Sequence, residues 1–64
     1  MTAYMLWFKE HRDAIARRAG SQQAADIGRR AGMEWRSMSD RAKQPWMERA
    51  RRLREERQRQ SVDN

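Results

Sequence analysis

The residues whose types and spacing carry the most specific chemistry are Met5, Lys9 and Arg12. Wound as a helix at about 100° per residue, they share one stripe at i, i+4 and i+7. Tyr4, Trp7, Phe8, His11 and Ile15 fall on a separate face, the natural core face. A flexible apolar side chain thus stands in line with two cations and away from the core. That set suits a protein that drives an apolar wedge between stacked bases and holds the flanking phosphates. Catalysis is poorly served. The chain has one histidine and no cysteine. Glu48, Glu55 and Glu56 are interleaved with arginines, so no carboxylate pair has a setting that would raise one pKa. There is no glycine-rich phosphate loop and no metal-ligand cluster. The sequence reads as a non-enzyme without cofactor or metal.

The charge balance agrees with a polyanion partner. Lys+Arg number 15 against Asp+Glu 9, a net +6, and the excess is mostly clustered arginine. Nucleic acid is the first candidate for such a surface and an anionic membrane the second. At 64 residues the chain is one domain at most. A chain this short buries only roughly 60% of its unfolded surface, so its stability is expected to be marginal. The absence of cysteine excludes a disulfide framework or thiolate metal site. No apolar run approaches the ~20 residues needed to cross a bilayer.

Three helices must position these residues. The first is expected at about 2–18, with Thr2 as N-cap and Gly20 as the stop. The second is expected at 21–38, with Ser21 as N-cap. Its apolar stripe is Ala24, Ile27, Gly28, Ala31, Trp35 and Met38, at three- and four-residue steps. Gly28 lies on that stripe and is expected to let the first helix approach closely. Arg29, Arg30, Arg36 and an exposed Met33 lie on the far face. The third helix is expected at 40–60, capped by Ser39, with Pro45 early in its course. Trp46, Ala50 and Leu53 form its thin apolar stripe, and beyond Leu53 nothing is apolar until Val62. The last turns are expected to be solvated or frayed, and residues 61–64 to be a disordered tail. Trp7, Phe8, Ile15, Ile27, Trp35, Trp46 and Leu53 make up the expected core, with His11 as a satisfied packing residue. The class is all-α.

The runs AYMLWFKEHR, DIGRRAGMEW and S-x-x-x-K-Q-P-W, followed by a basic helix, closely resemble the HMG box. The match covers Thr2 to about Gln60, and its hallmarks are Tyr4, Trp7, Trp35, Lys43 and Trp46. The resemblance implies an L-shaped, three-helix domain over 2–60. It also implies binding to the minor groove of double-stranded DNA, with bending. On that pattern Met5 is the primary intercalating wedge, Thr2 and Tyr4 contact bases or sugars, and Lys9 and Arg12 hold the backbone. The resemblance further implies that the Lys43 stem packs over a tryptophan ring.

Three departures from the family pattern matter. The family pattern has a basic N-terminal strand before the first helix, and the expectation here is a strand that is absent or truncated. The position of a second bulky wedge falls on Ala24 and Ala25, whose methyl groups are poor wedges. Thr2 stands where sequence-specific members have asparagine and non-specific members tend to have serine, so it leans toward binding with little sequence preference. Arg29 and Arg30 lie near the expected groove side, and the Arg49–Arg59 run could reach across the compressed major groove. The expected partners are duplex DNA, including bent or four-way-junction DNA, and chromatin proteins, for a nuclear monomer with no membrane role. The alternative is an HMG-like protein-interaction module with weak or no DNA binding. A membrane-surface or calmodulin-target helix leaves the stripe of the second segment unexplained.

Overall fold

A computed structural model describes residues 2–62 of the chain, with side chains over 2–59. It contains three α-helices: α1 (Ala3–Ala19), α2 (Ala24–Ser37) and α3 (Asp40–Val62). Both ends of α1 follow from the sequence. The Thr2 hydroxyl accepts the Met5 N–H at 3.2 Å, satisfying one of the donors a helix start leaves unpaired. Gly20 ends the helix with φ 68° and ψ 27°, and its N–H is shared between the carbonyls of Ala16 and Arg17. A side chain would strain that left-handed conformation.

The start of α2 differs from the expectation. Its N-cap is Gln23, which makes no side-chain capping bond. Ser21 lies in the loop instead. Its hydroxyl donates to Asp26 at 2.8 Å and accepts the Gln23 N–H at 3.1 Å. It thus ties the loop to the first turn of α2 rather than capping the helix, and α2 begins three residues later than Ser21. Ser39 does cap α3, accepting the Ala42 N–H at 3.1 Å. Pro45 sits inside α3 without ending it. The Arg41 carbonyl, which loses its amide partner there, belongs to an exposed residue. The helix continues through Val62, so residues 61 and 62 extend α3 rather than forming part of a tail, while 63–64 lie outside the described residues.

The core is built on α1. Trp7, Ile15 and Ala16 from α1 and Ile27 and Ala31 from α2 are buried together, and Tyr4, Phe8, Trp35, Met38 and Trp46 pack against them. The Trp7 and Trp35 rings lie 5.4 Å apart, and the Tyr4 ring meets Trp35 edge-on at 5.9 Å. Both helices α2 and α3 pack on α1, but among the described residues the α2 and α3 backbones do not approach each other. The result is an L, with α1 and α2 as the short arm and α3 as the long one. Twenty-three residues make α3 about 35 Å long. The radius of gyration of 14.3 Å exceeds the ~11 Å expected of a compact chain of this length.

Side chains hold the elbow. Lys43 Nζ lies 5.4 Å from the Trp35 ring centroid. His11 stacks on Trp7 at 5.7 Å and meets Trp46 edge-on at 5.5 Å. Its Nδ1–H donates to the Trp7 carbonyl at 2.9 Å. Arg49 covers the Trp46 ring at 5.0 Å and pairs with Glu10 of α1 at 2.9 Å.

Two expectations about the core are corrected. Leu53 is 38% exposed, because α3 has by then passed beyond the reach of the other helices. Gly28 is not a close-approach glycine, since an added Cβ would meet nothing within 4 Å.

Candidate nucleic-acid interface

Met5 stands on a ridge. It projects from the first turns of α1, 49% exposed, while its neighbours Tyr4 and Leu6 are half-buried and Trp7 is buried. The aromatic cluster fixes the rotation of α1 about its axis, and that rotation leaves Met5 facing out. The capped first turn then holds the Met5 backbone rigidly.

An open hollow lies on either side of the ridge. The first, about 410 Å³, runs between α1 and α2 and is lined by Tyr4, Met5, Phe8, Lys9, Arg12 and Gly28. Aromatic and apolar carbon forms its floor, while Lys9 and Arg12 supply the charge at its rim. Gly28 keeps the α2 wall low, and this, rather than close helix packing, is what the missing side chain does here. The second hollow, about 670 Å³, lies between the start of α1 and α3, lined by Thr2, Ala3, Met5, Met47, Ala50, Arg54 and Arg57.

The arginines divide into paired and unpaired groups. Arg18 and Arg30 both bond Glu34, each through Nε at 2.8 Å. The Arg18 guanidinium is the main reason that the Glu34 carboxyl is held down, to about 2. Arg29 pairs with Asp26, whose carboxyl the Ser21 hydroxyl and then Arg29 hold below the ordinary range. On α3, Arg51 bridges Glu48 and Glu55, and Arg52 reaches Glu48 at 3.6 Å. Lys9, Arg12, Arg54 and Arg57 have no carboxylate partner among the described residues. These four are the cations of the two hollows.

The site residues proposed from sequence are therefore partly gathered. Tyr4, Met5, Lys9 and Arg12 share the first hollow, and Thr2 joins Met5 in the second. Ala24, Ala25 and Arg29 line neither hollow, although all three are exposed. Sequence reasoning did not single out Met47, Arg54 and Arg57. Their spacing of i, i+7 and i+10 puts them on one helix face, but only the docking of α3 shows that this face adjoins Met5. Among the described residues, no group of acidic, histidine or cysteine side chains could hold a metal ion, and no helix is long and apolar enough to cross a membrane.

The comparisons with known proteins converge on one family. Residues 1–63 match the family model of the HMG (high mobility group) box. The chain is also similar to high mobility group protein Z of Drosophila melanogaster, with 36% identity over 56 residues. That alignment covers 88% of this chain and 49% of the relative, so the chain spans about half that protein's length. No solved structure matches it. An all-α, three-helix architecture and a family match over nearly every residue agree: the chain belongs to the HMG-box family.

Proposed function

We propose that this chain is an architectural DNA-binding domain. It inserts Met5 between base pairs from the minor groove, bends the duplex and reads little sequence. The observation that supports this best is the ridge itself. Met5 is an exposed apolar side chain on a rigid, capped turn, between two hollows whose cations lack carboxylate partners among the described residues. Lys9 and Arg12 flank the wedge and neutralise phosphates on one side of the opened step. Tyr4 presents the half-buried ring edge against which sugars slide. Thr2 contacts the base beside Met5 while its hydroxyl also serves the helix cap. Unstacking a step costs a few kcal/mol, recovered through the added surface that bent DNA contacts.

Ala24 and Ala25 supply no second wedge at the start of α2, so the duplex kinks at one step. Bent and junction DNA bind more tightly than linear DNA, because part of the deformation is already made. A chain of this kind acts in the nucleus on chromatin, and it carries no catalytic role. A titration at two salt concentrations tests the reading, with a linear duplex, its scrambled counterpart and a four-way junction. Tight, salt-steep binding that favours the junction and treats the linear sequences alike supports it. No binding to any of the three moves the function to a protein-interaction module.

A further inference from the structure

Sulfur enters this chain only as methionine, with five methionines and no cysteine. A two-electron oxidant therefore meets thioethers and no thiols. Met5 of α1, Met33 of α2 and Met47 of α3 are exposed, whereas Met38 is half-buried against the core. Met5 and Met33 are matched in exposure, at 49% and 48%, but of the two only Met5 lines a hollow.

Oxidation at Met5 changes the property that a wedge uses. The thioether is flexible and apolar. The sulfoxide is polar, and its oxygen accepts hydrogen bonds. Between stacked base pairs that oxygen faces aromatic rings and no donor, and burying an unpaired polar group is costly. Outside the stack a partner is at hand. Lys9 follows Met5 by four residues, a spacing that brings helical side chains together, and both line the first hollow. Lys9 has no carboxylate partner among the described residues, so its ammonium can donate to the sulfoxide oxygen.

We propose that Met5 is a reversible oxidation site that switches the wedge off. The sulfur lone pair attacks one oxygen of hydrogen peroxide. The S–O bond forms as the O–O bond breaks, and water leaves. Sulfur gives up two electrons and the peroxide accepts them. The sulfoxide stays out of the base stack and draws Lys9 away from its phosphate. Methionine sulfoxide reductases reverse the step. The free chain is the sensitive form, since base pairs cover an inserted Met5. The inference rests on the proposed function and adds a means of regulating it.

The test compares the wild-type chain with Met5→Leu, which keeps an apolar side chain but has no sulfur to oxidise at that position. Both are treated with hydrogen peroxide, and peptide mass spectrometry follows oxidation at each methionine. Circular dichroism checks that the helices remain. Bend angle is then read by energy transfer across a doubly labelled duplex. Peroxide should straighten the wild-type complex and leave the Met5→Leu complex as bent as before treatment. The wild-type slope of log K against log salt should also flatten by about one, for the phosphate that Lys9 releases. Reductase treatment should restore both. A duplex added before peroxide should protect Met5 and leave Met33 as reactive as in the free chain. A wild-type chain that carries the Met5 sulfoxide and bends DNA as before overturns the inference. So does an equal loss of bending in treated Met5→Leu, which would place the damage at another methionine. In either case, protection of Met5 by the duplex leaves the wedge reading standing, and Met5 oxidised on the duplex as fast as in the free chain overturns that reading too.

Discussion

The short arm and the outer half of α3 are both helical, but they are held by different forces. In the short arm, Arg18 of α1 reaches Glu34 of α2 across sixteen positions of sequence, over a core containing Ile15, Ile27 and Ala31. Beyond Ala50, α3 has no buried side chain among the described residues, and its ion pairs link only residues three or four apart. Solvent screens exposed pairs of that kind, so they add little to stability. The short arm is fixed by tertiary packing, and the outer α3 by its own helix propensity. The first arrangement fixes the position of Met5 as the proposed wedge requires, and the second leaves the outer helix without tertiary support.

The largest effect that would sharpen this contrast lies at the base of the short arm. Ile15→Ala should cost about 2–5 kcal/mol. A core in a chain this size rarely supplies more than about 3–5 kcal/mol. The variant should therefore be largely unfolded at room temperature, as read by circular dichroism and loss of the cooperative melt.

Glu34→Gln comes next. It removes the acceptor shared by Arg18 and Arg30 and should cost about 1 kcal/mol, since both arginines are partly solvated. In a domain this small that lowers Tm by about 4–8 °C. The same carboxyl predicts a pH dependence. Its pKa is lower folded than unfolded, so its contribution is complete above the ordinary carboxylate value of 4.5 and is lost as pH falls toward about 2. Wild-type Tm should decline through that window, and the Gln variant should decline less.

Gly28→Ala should act in the opposite direction. The new methyl meets nothing within 4 Å, so helix propensity decides the sign, and stability should rise by roughly 0.5–1 kcal/mol. A lower Tm for this variant would show that Gly28 does serve close packing. The smallest effect belongs to the long arm. Leu53→Ala should change stability by less than about 0.5 kcal/mol, because the side chain lies outside the core. A loss of 2 kcal/mol or more in chemical denaturation would break the comparison between the arms.

These residues also show what the sequence could convey. Period-3.6 placement found Trp7, Ile15, Ile27 and Ala31, because each lies on the stripe that its helix turns into the shared core. It also placed Met5 off that stripe. The same logic failed at Leu53, since the stripe on α3 continues in sequence after the packing partners have ended in space. It failed at Gly28 because periodicity assigns a face to a residue but not a distance to the neighbouring helix. Ser21 was misplaced because a serine before a helix can cap it or tie the loop to its first turn, and Asp26 lay within reach for the second role. Arg54 and Arg57 fell within the Arg49–Arg59 run read from sequence, but that they line a hollow with Met5 depends on where α3 docks along α1.

The central claim is that Met5 is the wedge, and the bend angle tests it most directly. The measurement is end-to-end energy transfer in a doubly labelled duplex, saturated in turn with the wild-type chain and with Met5→Ala. The Met5 side chain is solvent-facing, so the variant should remain folded. Its complex should be markedly straighter, with the affinity reduced by a smaller factor. An unchanged bend angle at saturation would contradict the wedge assignment.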